Sequence, residues 1–100
     1  MTVEAVLRDA YRRLGHIEEA LASLRQISAI HTSDDGLIVA EADATGALIG
    51  LWLDESLCRG DATVLGRRVT AAARAAAEIA GGKRDHVFSA LSRGIAEPAS

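Results

Sequence analysis

GLIVAEADATGALIGLWLDESL, residues 36 to 57, is the stretch whose reading decides the fold. Leu37 to Ala42 is apolar except for Glu41, and Leu48 to Leu53 is apolar throughout with Gly50 as its one gap. Short runs rich in Val, Ile, Leu and Trp, bounded by turn residues, favour strands over helices. Between them lies Asp43-Ala44-Thr45-Gly46-Ala47. Gly46 can take positive φ without steric cost, and the Asp43 carboxylate can accept from backbone amides ahead of it. The reading is a hairpin closed by a four- or five-residue loop. Strict alternation puts Ile38, Ala40 and Ala42 on one face with Ile49, Leu51 and Leu53. Leu37, Val39 and Glu41 then share the other face with Leu48, Gly50 and Trp52. Neither face is polar and an isolated hairpin is marginal, so cover is expected on both sides. Trp52 is expected in an interface between copies or under a helix, against the simpler reading of a partly exposed strand residue.

Outward from the hairpin, the chain divides by charge. The segment 27–63 carries seven acids against Arg59 alone, a net −6, whereas 64–100 is +3 and 1–26 is neutral. The whole is −3 over 100 residues, which does not mark a nucleic-acid binder by itself, but such asymmetry can orient a chain on a polyanion. This length sets one domain, expected over 1–97, with a frayed tail at 98–100 after Pro98. It is small enough for burial between copies to matter. No apolar run approaches the ~20 residues that cross a bilayer, so no membrane partner is expected. The N-terminus lacks a signal-peptide pattern, and the single cysteine fits a reducing cytoplasm.

Before the hairpin, Val3, Leu7, Ala10, Leu14, Ile17, Leu21 and Leu24 recur at spacings of four and three, an apolar seam of heptad type on one long helix. Thr2 suits its N-cap. Arg8, Arg12 and Arg13 cluster off that seam, either as surface partners of Glu4 and Asp9 or as a phosphate-contacting patch. His16 reads as a polar surface residue. Residues 27–35 read as a further strand running into an Asp34-Asp35-Gly36 turn, with His31 an ordinary strand side chain.

After the hairpin, Asp54 and Asp61 read as N-caps, the first of a short turn over 55–58 and the second of a long helix. Ala62, Leu65, Val69, Ala72, Ala76 and Ile79 continue the four-three rhythm. Gly81-Gly82 is a stop or kink signal after which Asp85 can recap a last helix striped by Val87, Leu91 and Ile95, with Phe88 beside it. Cys58 reads as a small buried or half-buried residue. The expected class is therefore α+β in the order α-β-β-β-α-α. No phosphate-cradling Gly-rich loop, zinc-spaced Cys/His set or nucleophile elbow is present, so no enzyme, cofactor, metal or small-molecule substrate is expected.

A glycine opening the second strand (Gly36), a polar turn ending in Gly46, then Leu48, Leu51-Trp52-Leu53-Asp54, Leu57 and an Ala-rich helix: this pattern resembles the YbaB/EbfC family of bacterial nucleoid-associated proteins. The family reads N-G-x-G-x-L at the turn and I-x-I-D-P-E-L at the exit; here the first turn glycine and the exit proline are missing, and Lys83 is the one lysine. The resemblance implies a tweezers-like homodimer that binds duplex DNA through its projecting helices with little sequence specificity, in the cytoplasm and on the nucleoid. It assigns phosphate contact to Arg8, Arg12 and Arg13 on the first arm and to Arg67, Arg68, Arg74, Lys83 and Arg84 on the second. Leu37, Val39, Leu48 and Trp52 of the hairpin and Leu14, Ile17 and Leu21 of the seam are the expected interface between copies. Some actinobacterial relatives are linked to specialised secretion, so the alternative is a dimer that binds another protein, as scaffold or chaperone, and not DNA.

Overall fold

A computed structural model describes residues 2–96; the expected fraying at 98–100 lies outside them. The elements are helix α1 (Val3–Gln26), strands β1 (Ser28–Thr32), β2 (Ile38–Asp43) and β3 (Leu48–Leu53), a 3-10 turn (Glu55–Arg59) and helix α2 (Ala62–Ala96). The class is α+β, as the sequence indicates, but the order is α-β-β-β-α. Gly81 and Gly82 neither stop nor break α2, and Asp85 caps nothing: it lies mid-helix beside Arg84. A helical glycine costs about 1 kcal/mol against alanine. Tertiary packing on either side of the pair offsets this, with Ala80 fully enclosed before it and Val87 and Leu91 half-buried after it.

The chain forms two compact units, residues 27–83 and the combination of α1 with α2 from Arg84 onward. In the first, the sheet is antiparallel with order β1-β2-β3. Alternation along β2 is complete: Ile38, Ala40 and Ala42 are buried and the residues between them are not. They meet Ala29 of β1 and Ala72, Ala76 and Ala80 of α2, an interior of alanines in which Ile38 is the single large side chain fully enclosed among the described residues. The small side chains allow helix and sheet to approach closely. The buried stripe ends at Ala80 and not at the expected Ile79, which faces solvent.

The turns follow the residues. Asp43 Oδ1 accepts from the amides of Thr45 (2.9 Å) and Ala47 (3.1 Å) and from the Thr45 hydroxyl (2.6 Å). Gly46 follows at φ 85°, the left-handed conformation that a side chain disfavours. Gly36 does the same at φ 74° before β2. Asp54 caps the 3-10 turn through the Ser56 amide (3.0 Å), and Asp61 caps α2 through the Thr63 amide (2.7 Å). Thr2 Oγ1 accepts from the Ala5 amide at the start of α1.

One register detail departs from simple alternation. A bulge between Glu41 and Ala42 pairs Ala42 with Leu48. An extra residue on one strand shifts everything beyond it. Leu48 therefore stands in the row of Ala42, on the face of Ala40 and Leu51, and not beside Val39 and Trp52. Trp52 is 52% exposed. Cys58, expected to be buried or half-buried, is exposed.

In the second unit α1 packs on the last turns of α2 through a face other than its apolar seam. Ala20 is buried, and Glu19, Ala20 and Ser23 share a groove with His86, Val87, Ala90 and Leu91. His16 belongs to this contact and is half-buried against Gly94, not a free surface residue. The seam residues Val3, Leu7, Leu14, Ile17 and Leu21 all remain exposed.

Candidate nucleic-acid interface

The eight cations expected to contact phosphate divide by what holds them. Within the helix pair, Arg12 donates to the Gly94 carbonyl (3.0 Å) and to Asp9 (3.1 Å), which fastens α1 to the last turn of α2. Arg13 pairs with the other oxygen of the same Asp9 at 3.2 Å, and Arg84 lies 3.7 Å from Asp85. Arg8 is exposed one turn before Arg12 and makes no ion pair among the described residues. Of the two partners expected for this cluster, Asp9 is used; Glu4 is not.

Within the sheet unit, Arg68 pairs with Asp35 and so joins α2 to the β1–β2 turn. Asp35 is itself held by the Ser33 hydroxyl (2.7 Å) and the Leu37 amide (3.1 Å). The Ser33 hydroxyl first, then the Leu37 amide and, behind these, Arg68, lower the pKa of this carboxyl below the usual aspartate range. Lys83 donates to the Ser28 carbonyl at 2.8 Å, so the one lysine of the chain is tied to the entry of β1. Arg67 and Arg74 are exposed on α2 and carry no partner among the described residues.

The arrangement thus separates cations that hold the fold from cations open to a ligand. Arg68 and Lys83 bridge distant parts of the sheet unit, and Arg12 bridges the helix pair. Arg8, Arg67 and Arg74 are free, and the structure adds Arg25 and Arg93, both exposed and unpaired among the described residues. Sequence reasoning passes over these two because Arg25 closes α1 and Arg93 lies alone in the last turns of α2, outside any basic cluster in the sequence. A basic residue in a last turn is also what the helix dipole favours, which makes it inconspicuous in a sequence.

Among the described residues no group of three or more His, Cys, Asp or Glu is placed to hold a metal ion. The concavity beside the Arg68–Asp35 pair, about 420 Å³, is open and lined by His31, Ser33, Asp34, Ile38, Ala71 and Ala72. No helix among the described residues is long and apolar enough to cross a membrane.

The fold is shared with a crystal structure of an uncharacterized protein, HP0035, from Helicobacter pylori, at a TM-score of 0.71 and 13% identity, covering 92% of this chain and 98% of that one. A search among curated proteins gave no match. The sequence profile of the YbaB/EbfC DNA-binding family matches residues 2–95, nearly the whole chain. The chain belongs to the YbaB/EbfC family of nucleoid-associated, non-enzymatic DNA-binding proteins.

Proposed function

We propose that this protein binds duplex DNA as a homodimer with little sequence specificity, coating or bridging the nucleoid. The observation that carries the reading, beside family membership, is the set of arginines left open on the helices. Arg8 on α1 and Arg67 and Arg74 on α2 have no internal partner among the described residues. Guanidinium groups of this kind neutralise phosphates, and phosphate contacts position a protein without reading bases. The paired cations Arg12, Arg13, Arg68, Lys83 and Arg84 contribute field at the same helices, and Arg12, Arg68 and Lys83 among them also hold the fold.

Two uncovered surfaces support a homodimer. The seam of α1, with Leu14, Ile17 and Leu21, is solvent-exposed from Val3 to Leu21. On the sheet, α2 covers the inner rows of β1 and β2, yet Leu48 and Leu51 of β3, in those same rows, are each more than two-fifths exposed. A second copy covering these residues would remove apolar area worth about 25 cal/mol per Å². Leu37, at the entry to β2, is half-buried. Val39 and Trp52 are on the opposite face of the sheet, so a single partner surface on the inner face does not cover them.

A gel shift with duplex DNA at two salt concentrations tests the function. Saturable binding that weakens steeply with salt, alike on unrelated sequences, is expected; no shift at about 50 mM salt and tens of micromolar protein removes the DNA reading. The alternative, a dimer that binds another protein in place of DNA, is favoured by one observation. The outer face of the sheet is apolar, exposed and set in the acidic segment of the chain.

A further inference from the structure

That outer face contains a carboxylate in an unusual setting. Its rows are Ile30, Glu41 and Gly50, then Thr32, Val39 and Trp52. Ile30 is 60% exposed and Trp52 52%, and no helix of the sheet unit lies over them. Glu41 sits on the central strand, half-buried, with its carboxylate leaning over Gly50: Oε2 is 3.4 Å from where a Cβ there would stand. It makes no hydrogen bond or ion pair among the described residues. Gly50 leaves a gap, and Ile30, Val39, Glu41 and Trp52 close around it as a shallow concavity of about 190 Å³.

We propose that this concavity is a docking site for a protein segment that presents a basic side chain, best an arginine, between apolar residues. An exposed apolar patch of this kind marks an interaction surface. Covering it strips water from Glu41, and a buried carboxylate without a partner is strongly unfavourable. Any stable occupant must therefore deliver a cation to Glu41 itself. A guanidinium meets a carboxylate with two parallel hydrogen bonds and stacks on an aromatic face, and Trp52 provides such a face in the same concavity. The net charge of −6 over 27–63 selects the same sign of partner. Nucleic acid is disfavoured, since the centre of the patch is anionic. So is face-to-face pairing with a second copy, because a two-fold axis through the centre of this face brings Glu41 towards its own counterpart.

The test uses the intact protein, its single tryptophan as reporter, and a capped peptide with one arginine between leucines, beside the same peptide carrying neutral citrulline. The expected result is a saturable shift of Trp52 emission with the arginine peptide and about tenfold weaker binding of the citrulline peptide. Glu41→Gln should lower the affinity for the arginine peptide to the citrulline level while leaving self-association unchanged. The citrulline comparison needs no variant, so it stands whatever the substitution does to folding. Equal binding of the two peptides, no saturable shift up to millimolar peptide, or a native Trp52 that iodide cannot quench because a second copy covers it, each overturns the proposal.

Discussion

The imidazole of His16 lies where Gly94 would carry a side chain: a Cβ on Gly94 would stand 2.9 Å from Nδ1 and 3.1 Å from Cε1. Arg12, one turn earlier on α1, donates to the carbonyl of the same glycine. The helix pair thus depends on a missing methyl group at one point.

The same substitution therefore has opposite signs at two glycines of α2. Gly94→Ala forces His16 aside and should destabilise the protein by about 1–3 kcal/mol in urea unfolding. Gly82→Ala meets nothing within 4 Å and should stabilise it by about 0.5–1 kcal/mol, the ordinary helix gain. Adding His16→Ala to Gly94→Ala should recover most of the loss, since the two sites are in contact. Equal effects at the two glycines would show that the close approach is not maintained in solution.

Assembly can be read from residues that do little in the single chain. Leu14 and Leu51 are both exposed, so in a monomer Leu14→Asp or Leu51→Asp should change stability by less than about 0.5 kcal/mol. In the proposed homodimer each substitution abolishes dimerisation or folding. Light scattering at micromolar concentration decides; a wild-type monomer with full helical content refutes the homodimer.

For DNA, neighbouring arginines should behave differently. Charge reversal at Arg67, which is free, should weaken binding to all sequences alike, with thermal stability unchanged. The salt slope should fall by about 0.9 for each phosphate that is no longer neutralised. Charge reversal at Arg68 places like charges against Asp35 and should lower stability as well. If reversing Arg67 alters the melting temperature and leaves DNA binding intact, the arginine is structural and the proposed role at phosphate is wrong.

Acid sensitivity should concentrate in the turns. The Thr45 hydroxyl, with the Thr45 and Ala47 amides, holds the pKa of Asp43 below the usual range, and the Ser56 hydroxyl and amide do the same at Asp54. A carboxyl whose pKa is lower folded than unfolded contributes stability above its unfolded value, about 4, and loses it as pH falls through the folded value. Urea midpoints measured from pH 7 downward should hold until about pH 5 and then decline. In Asp43→Asn the decline should be shallower, because one of the linked protons is gone.

The legible parts of this fold are local. Asp43 and Gly46 announce the hairpin turn, Asp54 and Asp61 announce their caps, and β2 and β3 are visible in the apolar runs, whereas β1 shows only through Ile30, Thr32 and the Asp34-Asp35-Gly36 turn that follows it. The bulge at Glu41/Ala42 is not visible, since one extra residue in a run of apolar side chains leaves no compositional mark. The face that α1 uses is also hidden. Asp9, Arg12, His16 and Ala20 are polar or small, whereas the conspicuous heptad seam of the same helix stays uncovered in the single chain. For the candidate site, basic residues could be located but not sorted. Arg67 and Arg68 are adjacent and look alike, and only the return of Asp35 across 33 residues distinguishes them.

The alanine interior has a consequence for how this protein can vary. Ala40, Ala42, Ala76 and Ala80 have no exposed surface at all, and every residue type except glycine is larger than alanine. Nearly every inherited change at these positions must push the sheet and α2 apart, while the change to glycine loosens the helix or the strand. Among the described residues, Ile38 is the one fully enclosed site where a lineage could trade one large side chain for another of similar volume. Divergence among relatives is therefore expected to accumulate on the outer face, the arginines and the seam. The line of small residues between sheet and helix is expected to stay small.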